Sequence, residues 1–213
     1  MKPEMTVALA GQPNSGKSTI FNMLTGARQF VANYPGVTVE KKTGRFKIDR
    51  TKVELVDLPG TYSLTSYSLE ERVARDYIIG EKPDMIVNIV DASNLKRQLY
   101  FTLQLLEMEI PMVISLNMMD VASSSGMEID TREMEIALGA KIVPTVGKKG
   151  RGKKALRHAI ANRTNHCSVH INYGTMEPML CDIVTRLKKY AGIEWPCSLR
   201  WLSVKLMEGD AGA

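Results

Sequence analysis

Near the start, Gly11-Gln12-Pro13-Asn14-Ser15-Gly16-Lys17-Ser18, continued by Thr19, has the residue types and spacing to hold a polyphosphate. In such a loop the backbone N–H groups and the following helix N-terminus cradle the β-phosphate, Lys17 places a charge near the β- and γ-phosphates, and the Ser18 hydroxyl ligates Mg²⁺. A glycine-rich strand-to-helix turn would use the same letters. An apolar strand before the loop and a helix after it favour the phosphate reading. Further on, Asp57-Leu58-Pro59-Gly60 follows the apolar run 53–56. That places the Asp57 carboxylate at the carboxyl end of a strand, the edge where open α/β sheets take ligands. From there Asp57 would hold Mg²⁺ through a water, and the Gly60 N–H would sense the γ-phosphate. Between these motifs lies Asn33-Tyr34-Pro35-Gly36-Val37-Thr38, a loop in which Gly36 and Val37 approach the nucleotide and Thr38 completes the Mg²⁺ shell.

Asn117-Met118-Met119-Asp120 follows the run 112–116 and suits a purine base. Asp120 can accept from both the N1–H and the exocyclic amine of guanine, a donor pair that adenine lacks. A buried carboxylate left unpaired costs several kcal/mol, so this contact selects GTP. Asn117 would tie its loop to the phosphate loop, and the apolar stem of Met118 would flank the base. A fifth segment, Val146-Gly147-Lys148, followed by Lys149, would offer backbone N–H groups to the guanine O6. It lacks a hydroxyl that could stiffen the loop, so modest affinity and rapid GDP release are expected.

These loops need a scaffold. Short apolar runs at 7–10, 53–56, 85–90, 112–116 and 142–146 alternate with helically spaced stretches at 17–25, 69–79, 95–108, 131–138 and 152–162. The alternation predicts an α/β fold, a parallel sheet covered by helices. Segments 39–48 and 52–56 are too close for a parallel crossover, so they form an antiparallel hairpin turning near Asp49-Arg50. The expectation is a mixed, mostly parallel sheet of six strands. Segment 163–174 reads as a linker, and 176–190 and 196–207 read as helices that must pack on the main domain or on chain beyond residue 213.

The chain has 213 residues, 44% hydrophobic and 24% charged, enough for one full core and a small appendage. A net charge of +5 suits an acidic partner without selecting one. Three cysteines, Cys167, Cys181 and Cys197, form no C-x-x-C pair, so a reducing compartment is expected. The opening MKPEMTVALAG lacks a secretory pattern, and no run approaches the roughly 18 apolar residues of a membrane helix. The basic cluster Lys148, Lys149, Arg151, Lys153 and Lys154 has no interleaved aromatics, which favours a solvated face over a nucleic-acid surface. His166-Cys167-x-x-His170 is weak evidence for a metal site.

The sequence resembles the amino-terminal domain of ferrous iron transport protein B. The resemblance is carried by G-x-P-N-S-G-K-S-T-x-F-N from Gly11 to Asn22, N-Y-P-G-V-T-V-E from Asn33 to Glu40, and D-L-P-G-T-Y-S-L from Asp57 to Leu64. The doublet Glu70-Glu71, N-M-M-D at Asn117 to Asp120 and R-W-L-S-V-K-L-M-E-G-D from Arg200 to Asp210 extend it over nearly the whole chain. It implies a Ras-like P-loop G domain at 1–164, then at 165–213 part of a helical unit of nucleotide-dissociation-inhibitor type, with a polytopic Fe²⁺-transporting membrane domain beyond. It further implies a GTPase on the cytoplasmic side of a bacterial inner membrane. Its partners would be that membrane domain, a homo-oligomer and small accessory iron-transport proteins, with nucleic acid not expected. Tyr34 stands where tryptophan is frequent, and Gly147 where serine is frequent.

Thr61 follows Gly60, so the glutamine that orients water in Ras-type proteins is absent. The resemblance implies K⁺ held by Asn14, with carbonyls around Asn33, as the electrostatic substitute. The catalytic set expected is therefore Asn14, Lys17, Thr38, Gly60 and Thr61. Backbone groups near Thr61 and Thr38 would hold the water, and Glu70 or Glu71 would order the following loop or simply start a helix. Two other readings stay open: a nucleotide-dependent module acting on RNA or the ribosome, and a nucleotide binder with little turnover.

Overall fold

A computed structural model describes residues 4–26, 29–65, 67–162, 171–190, 193, 195 and 197–210. Its elements, in chain order, are β1 Met5–Gly11, α1 Lys17–Thr25, β2 Gln29–Asn33, β3 Glu40–Ile48, β4 Thr51–Asp57, α2 Leu69–Glu81, β5 Met85–Asp91 and α3 Leu95–Glu107. There follow β6 Met112–Asn117, α4 Met119–Ser124, α5 Thr131–Leu138, β7 Lys141–Pro144, α6 Lys153–Ala161, α7 Glu177–Lys188 and α8 Leu199–Met207.

Side chains alternate along the strands, and the alternation builds two cores. From β1, Ala8 and Ala10 face the core that holds Val73, Ile78, Phe101 and Leu105 of α2 and α3. Val7 and Leu9 face the other, with Ile20, Phe21 and Leu24 of α1 and Leu156 and Ile160 of α6. The strands run β2-β3-β4-β1-β5-β6-β7. Strand β1 pairs in parallel with β4 and β5, and β5-β6-β7 continue in parallel. Strands β2-β3-β4 are antiparallel. The expected hairpin is present: Ile48 faces Thr51, and Asp49 takes a left-handed φ of 51° in the turn.

The sheet has seven strands where six were expected. The added strand, β2, is exposed at all five positions and has no apolar face to betray it; its pairing with β3 defines it. The expected strand 142–146 is Lys141–Pro144: the Thr145 N–H makes a last bond to the Leu116 carbonyl at 2.8 Å, and Val146 turns away to bridge Arg151. The expected linker lies outside the described residues over 163–170, as do His166, Cys167 and His170; Gly174–Met176 within its end forms a 3-10 turn. The expected helix start at Pro196 is also outside them, and α8 begins at Leu199.

The carboxy-terminal helices pack on the main domain. Trp201 is 1% exposed and joins the α2/α3 core. Arg75 of α2 forms a buried ion pair with Asp210 at 3.3 Å. Among the described residues, no helix is long and apolar enough to cross a membrane.

Candidate functional site

Gly16 immediately precedes helix α1; its φ of 89° is left-handed, and a Cβ on it would fall 2.2 Å from Asn117 Nδ2. Only glycine fits there. No side chain caps this helix, so its first N–H groups face the loop unclaimed, beside Lys17. Asn14 is exposed with a left-handed φ of 64°, a conformation asparagine tolerates. Gln12 is buried, and its Nε2 donates to the Arg97 carbonyl at 3.0 Å. Pro13 is half-buried and Ser18 exposed.

Strand β4 delivers Asp57 to this loop, where Lys17 Nζ donates to Asp57 Oδ1 at 2.8 Å, both side chains nearly buried. Burial raises the Asp57 carboxyl pKa, and Lys17 opposes the shift. Two buried hydroxyls nearby, Ser15 Oγ and Thr61 Oγ1, have no hydrogen-bond partner. Buried polar atoms without partners are rare unless something else supplies one. The uncapped helix, these orphan hydroxyls, the lysine and the hydroxyl and carboxylate oxygens of Ser18 and Asp57 fit a phosphate chain with a hard divalent cation. No cluster of three or more His, Cys, Asp or Glu placed to hold a metal occurs among the described residues.

Thr38 is not gathered into this group. It is exposed, in a turn closed by the Tyr34 N–H donating to the Val39 carbonyl at 2.9 Å. Gly36, with φ 73°, and Val37 belong to the same turn. Asn33 is the last residue of β2, paired with Glu40, so the expected loop begins as sheet edge. Glu71 orders the loop after Gly60: it accepts from Ser63 Oγ and Thr65 Oγ1, each at 2.8 Å, and completes a capping box with Ser68. Glu70 is exposed at the helix start.

At the other end, Asn117 clamps two loops. Its Nδ2 donates to the Ser15 carbonyl at 3.0 Å, and its Oδ1 accepts from the Gly147 N–H at 3.0 Å. A Cβ on Gly147 would lie 3.0 Å from Ile20 Cδ1 and 3.1 Å from Thr19 Cγ2. The loop thus passes close to α1, and a larger residue at 147 would need small shifts of the Ile20 and Thr19 side chains. Met118 has a left-handed φ of 60°, and its Cε approaches the Gly16 position. Val146 is buried and Lys148 exposed. The sequence assigns Lys149 a backbone contact in the fifth segment and a place in a solvated basic cluster; its side chain has a further contact, Nζ donating to Asp120 Oδ2 at 2.8 Å. Its place two residues after Gly147 was the available signal.

Residues 5–160 match the family model described as ferrous iron transport protein B. The chain is 45% identical over 212 residues to the Fe(2+) transporter FeoB of Salmonella typhimurium strain LT2, covering 97% of this chain and 27% of that one. It therefore spans about a quarter of the length of the curated relatives it matches. Among solved structures, the cytosolic domain of L. pneumophila FeoB superposes with a TM-score of 0.89 at 38% identity, covering 97% of this chain and 89% of that one. The cytosolic domain of the T. maritima FeoB iron transporter in its GMPPNP form gives 0.91 at 36% identity, covering 97% and 82%. The fold is the Ras-like G-domain fold expected, with its seventh strand added.

Proposed function

The chain belongs to the ferrous iron transport protein B family, and from that premise we propose that it is the GTP-binding, GTP-hydrolysing regulatory domain of a bacterial Fe²⁺ transporter. In this reading residues 1–164 form the G domain and 165–213 part of a helical unit. The domain lies on the cytoplasmic face of the inner membrane and acts on a membrane domain of the same protein. Homo-oligomers and small accessory iron-transport proteins are compatible partners; nucleic acid is not expected. The observation that carries the proposal is the convergence of Lys17 with Asp57 and of Asn117 with Ser15 and Gly147, which joins phosphate-type and base-type loops into one site.

The roles follow from chemistry. Loop 11–19 binds the phosphates through backbone N–H groups, and Lys17 exchanges Asp57 for phosphate oxygens. Ser18, Asp57 and Thr38 would hold Mg²⁺, which when bound offsets phosphate charge. Asn14, with carbonyls near Asn33, would hold K⁺ for the same purpose at the transition state. Thr38 must move inward to take its part, so nucleotide state is coupled to the 33–38 segment. Gly60 N–H meets the γ-phosphate, and backbone groups at Thr61 and Thr38 position the attacking water. Asp120 reads guanine, with Met118, Val146, Gly147 and Lys148 lining the base.

The test is GTP hydrolysis in matched KCl and NaCl for the wild type and Asn14→Gly. Glycine keeps the left-handed backbone at position 14 without strain and removes only the amide. Faster turnover in K⁺ that vanishes in the variant supports the cation role. Equal rates in both salts reject it, and no hydrolysis in either leaves a nucleotide binder only.

A further inference from the structure

At the base end, a lysine and the base-reading aspartate are already joined. Asp120 Oδ2 accepts from Lys149 Nζ at 2.8 Å, and Asp120 Oδ1 accepts from the Val121 N–H at 3.1 Å. Lys149 closes the 3-10 turn Gly147–Lys149, in which the Gly150 N–H donates to the Gly147 carbonyl at 3.1 Å and Gly150 takes a left-handed φ of 67°. The same turn delivers the Gly147 N–H to Asn117. A single backbone feature therefore holds the motif's asparagine and aims an ammonium at the motif's aspartate.

Reading guanine takes both carboxylate oxygens, one for N1–H and one for the exocyclic amine. An ammonium on Oδ2 draws on the same acceptor. We propose that Lys149 competes with the guanine base for Asp120, so that nucleotide entry breaks the Lys149–Asp120 pair and nucleotide departure restores it. This rests on reading Asn117-Met118-Met119-Asp120 as the guanine site, and it gives the rapid GDP release expected from the fifth segment a residue-level cause. The Lys149 and Asp120 side chains are 56% and 32% exposed, and pairs this open are weak. The competition is accordingly a tuning effect of about two- to five-fold.

The experiment measures equilibrium affinity and release rate of fluorescent GDP and inosine diphosphate for the wild type, Lys149→Gln and Lys149→Arg, at low and high salt. Lys149→Gln is expected to tighten GDP binding and slow its release by about two- to five-fold, while Lys149→Arg stays near wild type. Inosine diphosphate lacks the exocyclic amine and should gain less. Added salt should narrow the gap between wild type and Lys149→Gln by screening the pair. Unchanged or weaker GDP binding in Lys149→Gln, or equal gains for both nucleotides, overturns the proposal. A wild type with no preference for GDP over ADP overturns the guanine-site reading and the proposal with it. A clear GDP preference that Lys149→Gln leaves untouched overturns the proposal alone.

Discussion

The Tyr34 hydroxyl donates a hydrogen bond to the Asp57 backbone carbonyl at 3.1 Å, tying the 33–38 segment to the residue that ends β4. Tyr34 is 5% exposed and meets Tyr77 edge-on, with ring centroids 6.0 Å apart and planes at 80°. Lys41 Nζ lies over both rings. Burial first, then the neighbouring Tyr77 and Asp57, pushes the phenol pKa up, so Tyr34 remains a donor through the physiological range. A segment proposed to move with nucleotide state is thus latched onto the strand that carries Asp57.

Tyr34→Phe should keep the ring packing and lose the latch. The expected cost is about 0.5–1.5 kcal/mol, since one buried hydrogen bond is removed, or a fall of about 2–4 °C in Tm per kcal/mol for a chain of this size. Thermal melts without nucleotide check it. A variant as stable as wild type would show that the bond contributes nothing.

Lys17→Ala should act twice. It leaves the Asp57 carboxylate unpaired in a nearly buried setting, costing about 3 kcal/mol in the absence of nucleotide. It also removes charge-assisted bonds to phosphate, lowering GDP affinity by about 100-fold. Urea unfolding and GDP titration measure the two effects separately; intact GDP affinity would refute the assigned role of Lys17.

Asp120→Asn should reverse the base preference. The new amide cannot accept from the guanine N1–H and amine pair, so GDP affinity falls by about 100-fold or more. Xanthosine diphosphate, whose C2 carbonyl accepts from the amide, should bind better than to wild type. Competition titrations decide the point, and an unaltered GDP preference would remove Asp120 from the site.

Glu107 gives a pH test of how the carboxy-terminal part docks. Its carboxylate accepts from the Tyr173 hydroxyl at 2.7 Å. Burial raises its pKa, opposed by Tyr173, Arg200 and Lys205 and reinforced by Glu208. With the folded pKa above the unfolded one, the stability it contributes is fully present below the unfolded pKa and is lost as pH rises through the folded value. Glu107→Gln keeps an acceptor for Tyr173 and removes the titration. The variant should therefore gain on the wild type as pH rises above the ordinary glutamate range, and the gap should shrink toward acid. Thermal melts from about pH 4 to 8 check this, and a pH-independent difference would contradict it.

The phosphate loop, Asp57 and the Asn117-to-Asp120 motif were legible in the sequence because each is a local solution. A left-handed glycine at position 16 and an apolar run before each loop act within a few residues, so their spacing carries the chemistry. The unbroken apolar run from Val7 to Ala10 similarly announces a strand with two covered faces. Strand β2 was not legible, because five exposed residues acquire their strand identity from hydrogen bonds to β3. The same holds for Lys149 on Asp120, 29 residues apart, for Tyr34 on Asp57, 23 apart, and for Arg75 on Asp210, 135 apart. By itself the sequence determined the alternation of apolar strands with helices, the β3-β4 hairpin and which residue types stand in the loops between them. Only the tertiary structure decided which charges and hydroxyls meet, because such contacts depend on how elements distant in the chain pack together.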